Sequence, residues 1–443
     1  MARTNQDPRV PANSSAAGTS VAVAQHLESR RASSAILLLI CSLAAFYVWG
    51  AVRVYQAHRF AVRRDQVSLE RAIRLQPRDA SNHDLLGQYF IWKAQDPQAA
   101  AFQFRQATRL DPYASSYWLH LAQAEDSLGN DQGQIKAIRN AIAVDPTTPE
   151  VAWNAANLFL VQGKTDEALD QLAVVVRNDP IMAGLALDTS WRALGQVDPI
   201  RRRLPPDPEI YLKFVKVLVA RQQWGAADQV WSSMLQLNRE FDPRAALFYV
   251  DVLLAQRNVA GAQKVWQQLE ENSASLRPYI TPGNLVVNTS FEHDFLNAGF
   301  DWHYTALPGI AVMLDSTQAH RGSESLLVTF SGSADDAGVW QYVPVAPGTS
   351  YLASAWVRSE ELESADGPRL RIYDAHKNTE LGHSKETLGT TSWHRVEATF
   401  TAEPDGALVV IRFSRNPGDT LIRGQFWIDD VRLSQLGGAS AEE

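Results

Sequence analysis

At 443 residues, the chain has room for roughly two to four domains of about 100–200 residues each. From Gly283 onward 11 basic residues face 22 acidic ones, while the first 282 residues carry 30 against 27. No basic patch suited to a phosphate backbone exists in either part, which excludes nucleic acid as an expected partner. A hydrophobic content of 45% with 13 Trp is enough to bury cores, and the single Cys41 rules out an internal disulfide and a cysteine-based zinc site.

Residues 1–31 are rich in Ala, Ser, Pro, Asn and Thr without apolar period, which predicts a disordered tail. Residues 32–52 contain no charge. As a helix they would span about 31 Å, enough for one transmembrane segment. Tyr47 and Trp49 near its end suit the membrane interface. A lipoprotein reading at Leu38-Leu-Ile-Cys41 fails because Ile40 is too large for the position before the cysteine. A cleaved signal peptide would need a shorter apolar run and a small-residue exit. Arg53, Arg59, Arg63 and Arg64 downstream outnumber Arg30 and Arg31 upstream, which by itself favours a cytoplasmic body. Long domains translocate largely regardless of such charges, and the C-terminal segment suits the outside. The expectation is an N-terminus in the cytoplasm with the following domains periplasmic or extracellular.

Residues 60–275 hold an internal repeat. Pro77, Pro112, Pro146 and Pro180 follow at spacings of 35, 34 and 34. Within this frame Ala100, Phe104 and Ala107 recur as Gln134, Ile138 and Ala141, then as Ala168, Leu172 and Val175. Small residues permit close helix crossings, and proline ends each unit because it cannot donate within a helix. Residues 199–205 break the frame, which Trp224–Trp231 and Val259–Trp266 resume. The pattern resembles the tetratricopeptide repeat, with about five helical hairpins, the fourth and fifth divergent. Such units stack because each exposes an apolar face that a neighbour covers. By register, Asp84, Gln88, Gln123, Asp126, Trp153 and Asn157 would face a groove that docks a protein or peptide.

After a linker at residues 272–283 with Pro278 and Pro282, the pattern changes from helical to alternating. Eight or so short strands over residues 283–436, separated by Gly, Pro, Asn and Asp, predict an antiparallel β-sandwich. Asn288–Glu292, Gly299–Trp302, His320–Leu326, Gln341–Tyr351, Ser354–Arg358 and Trp427–Leu433 resemble carbohydrate-binding modules of the family 4/9 type, a galactose-binding-like jelly roll. Strand parity turns Trp340, Tyr342, Trp356, Arg358, Arg371 and Tyr373 away from the core. Flat rings can cover sugar C–H faces and guanidinium forks can bond hydroxyls, so these six are the expected glycan-binding face. Trp393 and Trp427 match positions that look structural. The resemblance also implies a structural Ca²⁺, with Glu292 and Asp430 at ligand positions. Residues 437–443 are expected to be a flexible tail.

No catalytic motif is recognisable. The chain has no His-Glu-x-x-His, nucleophile elbow, phosphate loop or dinucleotide fingerprint. The expected architecture is multidomain: a transmembrane helix, an α-helical tetratricopeptide-repeat solenoid and an all-β jelly-roll sandwich. The expected protein is a non-enzymatic adaptor in a bacterial inner membrane, needing no cofactor for chemistry and binding a polysaccharide near exopolysaccharide or envelope assembly. Two alternatives remain: a protein–protein scaffold whose sandwich binds no sugar, and an accessory of a carbohydrate-degrading complex.

Overall fold

The computed structural model describes residues 17–436 apart from 417 and 419, with side chains from residue 34 onward. Residues 1–16 of the expected tail, and the expected flexible end at 437–443, lie outside the described residues. The chain is helical from Ala17, within the stretch whose composition predicted no order. By internal contacts it divides into two compact units, Met1–Asp179 and Pro180–Glu443.

The first unit begins with α1 (Ala17–Ala61). Within its segment Ser34–Ala61 an 18-residue stretch reaches a mean hydropathy of 2.3, and the helix is long and apolar enough to cross a membrane. The end of α1 belongs to the folded body. Ala57 and Ala61 are buried against Leu69, Ala72 and Leu86, and Arg53 Nη2 donates to the Leu75 carbonyl at 2.6 Å.

Then follow α2 (Gln66–Leu75), α3 (Ala80–Tyr89), α4 (Pro97–Leu110), α5 (Ser115–Ser127), α6 (Asp131–Val144), α7 (Pro149–Val161) and α8 (Thr165–Asn178). Each repeating proline stands two residues beyond the end of α2, α4, α6 or α8, where it cannot interrupt a helical hydrogen bond. Asp65, Asp79, Asp96 and Asn130 cap helix starts by accepting backbone N–H groups. In the α3/α4 hairpin Gly87 lets the helices approach. A Cβ there would lie 2.5 Å from the Phe104 ring.

The second unit opens with α9 (Ala183–Leu194), α10 (Val197–Arg201), α11 (Pro208–Ala220), α12 (Trp224–Leu235), α13 (Leu247–Ala255) and α14 (Val259–Asn272). The frame break is α10, a second helix cut to five residues. Full hairpins α11/α12 and α13/α14 restore the pattern.

The remaining chain forms a sandwich of two five-stranded antiparallel sheets. The strands are β1 (Trp302–Tyr304), β2 (Ile310–Asp315), β3 (Ser325–Gly332), β4 (Asp336–Pro344), β5 (Ser350–Glu363), β6 (Arg369–Asp374), β7 (Glu380–His383), β8 (Gly389–Thr401), β9 (Leu408–Ser414) and β10 (Ile422–Gln435). One sheet runs β1-β4-β9-β6-β7 and the other β2-β3-β10-β5-β8. Val343, Ala353, Ala355, Val357, Leu370 and Ile372 lie in the shared core, as their alternation requires. Buried Gln341 ties this core to the entering chain, donating to the Val287 carbonyl and accepting its N–H.

Candidate functional site

Strand register places four of the six expected glycan contacts on the outer face of the β1-β4-β9-β6-β7 sheet. Trp340 pairs with Arg412, and Arg412 with Arg371. The row extends to His303 on β1 and His383 on β7. A neighbouring row carries Tyr342, Val410, Tyr373 and Glu380. At about 4.8 Å between strands, a five-residue row is about 19 Å long.

The rings and charges on this face support one another. His303 stacks on Trp340 with centroids 4.1 Å apart and planes 6° from parallel, and Tyr342 meets Trp340 edge-on at 4.8 Å. Arg412 lies over the Tyr373 ring at 5.1 Å and pairs with Asp336 at 3.2 Å. Arg371 donates to Glu380 at 2.6 Å and to Asn416. His383 reaches Glu380 at 2.6 Å. The Nε atoms of Arg371 and Arg412 are buried without a hydrogen-bond partner, an arrangement that costs about 1–3 kcal/mol per donor. Burial moves the Tyr342 phenol upward, with the Asp251 charge adding to it. Burial also lowers the His303 imidazole, so this ring is neutral near pH 7 and can both donate and accept.

The other two expected contacts occupy the opposite sheet. Trp356 pairs in register with Asp429 and Arg395, and His320 stacks on its ring at 3.9 Å. Arg358 lies over Trp427 at 5.4 Å. The six residues therefore do not share one face. Alternation along a strand separates inside from outside, but each sheet has an outside, and long-range pairing decides which strand joins which. Trp427 is 3% exposed and donates to Asp315 at 2.7 Å, while Trp393 is half-buried.

Arg412, His303, Glu380 and His383 were missed by the sequence reading. Residues 408–411 are all buried, so β9 shows no polar alternation, although a lone arginine in that apolar run was a signal. His303 lies on a three-residue strand, too short for a periodic pattern.

The two carboxylates offered as calcium ligands are already engaged. Glu292 accepts from the Ser323 N–H and hydroxyl and from the Glu324 N–H, which hold its pKa below the usual range against the burial that raises it. Asp430 accepts from Arg432 Nε at 2.9 Å. Among the described residues no group of three His, Cys, Asp or Glu side chains could hold a metal ion. As arranged, Glu292 and Asp430 do not fit a cation.

In the helical region, Gln123, Asp126 and Asn157 line a cavity of 580 Å³ beside α5 and α7, together with His120, Asp145 and Glu150. Asp84 is 6% exposed and bridges successive first helices through His120 Nδ1 at 2.7 Å, while Gln88 donates to its second oxygen. Trp153 is half-buried, and its carbonyl accepts from Asn157 Nδ2. Asp84 and Gln88 thus buttress the groove that Gln123, Asp126 and Asn157 line.

A carbohydrate-binding-domain family model matches residues 283–420 and a tetratricopeptide-repeat model matches residues 135–180. Solved structures similar to parts of the chain include "CBM4 structure and function", at 17% identity over 34% of this chain and 99% of that one, with TM-score 0.27. The MamA protein aligns at 13% identity over 40% of this chain and 94% of that one, TM-score 0.30. The CBM22-1 xylan-binding domain from Paenibacillus barcinonensis Xyn10C aligns at 15% identity over 34% of this chain and 94% of that one, TM-score 0.24. No curated protein matches the chain. Both matched families are binding modules, not catalytic ones. The chain thus carries a segment that matches the tetratricopeptide repeat at residues 135–180 and a segment that matches a carbohydrate-binding domain at residues 283–420.

Proposed function

We propose that this protein is a non-enzymatic, membrane-anchored adaptor that holds a polysaccharide on the outer face of the β1-β4-β9-β6-β7 sheet. The observation that carries the reading is the transverse row His303–Trp340–Arg412–Arg371–His383. It sets aromatic surface beside hydrogen-bonding groups across all five strands. Sugar rings need this mixture of apolar surface and directed polar groups. The helical cavity lined by Gln123, Asp126 and Asn157 docks a protein partner. The apolar helix anchors the chain in a bacterial inner membrane with the body outside the cytoplasm, and the polysaccharide is a component of the cell envelope or an exopolysaccharide.

Affinity electrophoresis of the full chain in gels containing soluble polysaccharides tests the glycan reading. Trp340→Ala and Tyr373→Ala are expected to weaken retardation about tenfold each, a loss of about 1.4 kcal/mol. A glycan array and gels that show no binding would leave the scaffold reading, which the stack of His303 on Trp340 favours because that ring face is already covered. A C-terminal reporter active only in the cytoplasm would overturn the orientation.

A further inference from the structure

The outer face of the sheet differs at its two edges. At the β1 edge the last helical hairpin packs directly on the sandwich. Gly299 N–H donates to Asp251 Oδ1 of α13 at 2.6 Å, and Trp266 of α14 meets Phe300 edge-on with centroids 5.7 Å apart. Gly299 adopts a φ of +63° and faces Trp266 so closely that a Cβ would lie 2.7 Å from the indole, so only glycine fits this contact. The Gly299 carbonyl lies 3.1 Å from His303 Nε2, linking α13 to the first residue of the transverse row. His303 points outward on an edge strand and is still largely covered. Burial lowers its imidazole against the opposing pull of Asp251, and raises the Tyr342 phenol with the Asp251 charge adding to it. At the β7 edge the corresponding residue, His383, pairs with Glu380 of its own strand at 2.6 Å and has a side chain 55% exposed.

We propose that α13 walls this face at the β1 edge, making it a one-ended groove that receives the terminus of a glycan chain and not an internal segment. The inference rests on the glycan reading above. A chain crossing the row from β7 meets Arg371, Arg412 and Trp340 in turn and stops at His303 and Asp251. An internal segment would have to leave past β1, where the helix stands. Asp251 is a positioning residue here: it fixes Gly299 and through it His303, and it presents carboxylate oxygen at the closed end.

The test uses the full chain with size-fractionated xylan and mixed-linkage β-glucan as probes, each from short oligomer to polymer. Calorimetry or equilibrium sedimentation then gives the protein bound per glycan chain. A one-ended groove predicts about one protein per chain at every length, because a polymer offers no additional sites between its ends. Stoichiometry rising in proportion to length would overturn the inference while leaving the glycan reading intact. If neither probe binds at any length, the glycan reading fails for these polymers and the inference falls with it. Asp251→Ala adds a readout that a purely structural role would not move. It is expected to raise the stoichiometry on polymer above one, as the closed end opens, while Trp340→Ala removes binding at all lengths. Unchanged end-limited stoichiometry in Asp251→Ala, with normal melting, would refute the assigned wall.

Discussion

Asp301 is the second residue from the row's starting point, and it is fully buried. Its Oδ2 accepts from the Leu296 N–H at 2.7 Å, while Oδ1 has no partner. Burial without a cation pushes its carboxyl up to about 7. A carboxyl whose folded pKa exceeds its unfolded value binds more protons when folded. Its stabilising contribution is therefore complete below about pH 4 and is lost as pH rises toward 7. Between pH 5 and 8 the loss amounts to about 2–3 kcal/mol at 1.36 kcal/mol per pKa unit. For a unit of this size that corresponds to roughly 5–10 °C in melting temperature. Asp301→Asn removes the titration and keeps an oxygen for the Leu296 N–H. Melting followed by circular dichroism at pH 5 and pH 8 should show the decrement in the natural chain and not in the variant. The difference between the two chains is the relevant quantity, because every other group titrates in both. An unchanged decrement in Asp301→Asn would show that the carboxyl is ionised in the folded protein and refute the reasoning.

Other measurements probe separate parts of the molecule. Arg412→Ala should weaken polysaccharide retardation about tenfold with melting shifted by no more than about 2 °C, since its partner Asp336 stays bonded to Gly338 N–H. Trp356→Ala, on the opposite sheet, should leave retardation unchanged; a comparable loss would move the site to that sheet. Gly87→Ala drives a methyl into buried Phe104 and should cost about 1–3 kcal/mol, seen as an earlier loss of helical signal, and a neutral result would mean that the α3/α4 hairpin is more loosely packed than described. Because Glu292 and Asp430 are engaged by loop donors and Arg432, calcium or EGTA should shift melting by less than about 1 °C, whereas tight binding at saturating calcium would add several kcal/mol and restore the ligand set implied by resemblance.

The repeat was legible because its determinants are local. Proline ends a helix wherever it falls two residues past the last turn, and Gly87 opposite Phe104 records a helix crossing within one hairpin. The sandwich core was legible for a similar reason: Ala353, Ala355 and Val357 alternate with Trp356 and Arg358 whatever lies beside them. Which outer face each strand shares was not legible. That depends on β6 pairing with β9 and β5 with β10, contacts made across tens of residues that leave no local trace. Arg412 escaped notice because β9 is buried on both sides of its neighbours, and Asp251 because no helical period announces that a helix will meet a sheet edge.

Helix α1 runs unbroken from the apolar stretch into the buried pair Ala57 and Ala61. With Ser34–Ala61 in and beside the bilayer, as proposed, about 42 Å of continuous helix ends inside the first hairpin, unbroken even at Gly50. The first repeats therefore cannot swivel independently of the anchor: a change in the helix's lean, from a thicker bilayer or a neighbouring protein, would swing the partner-binding cavity with it, like the arm of a lever whose short end is held by lipid.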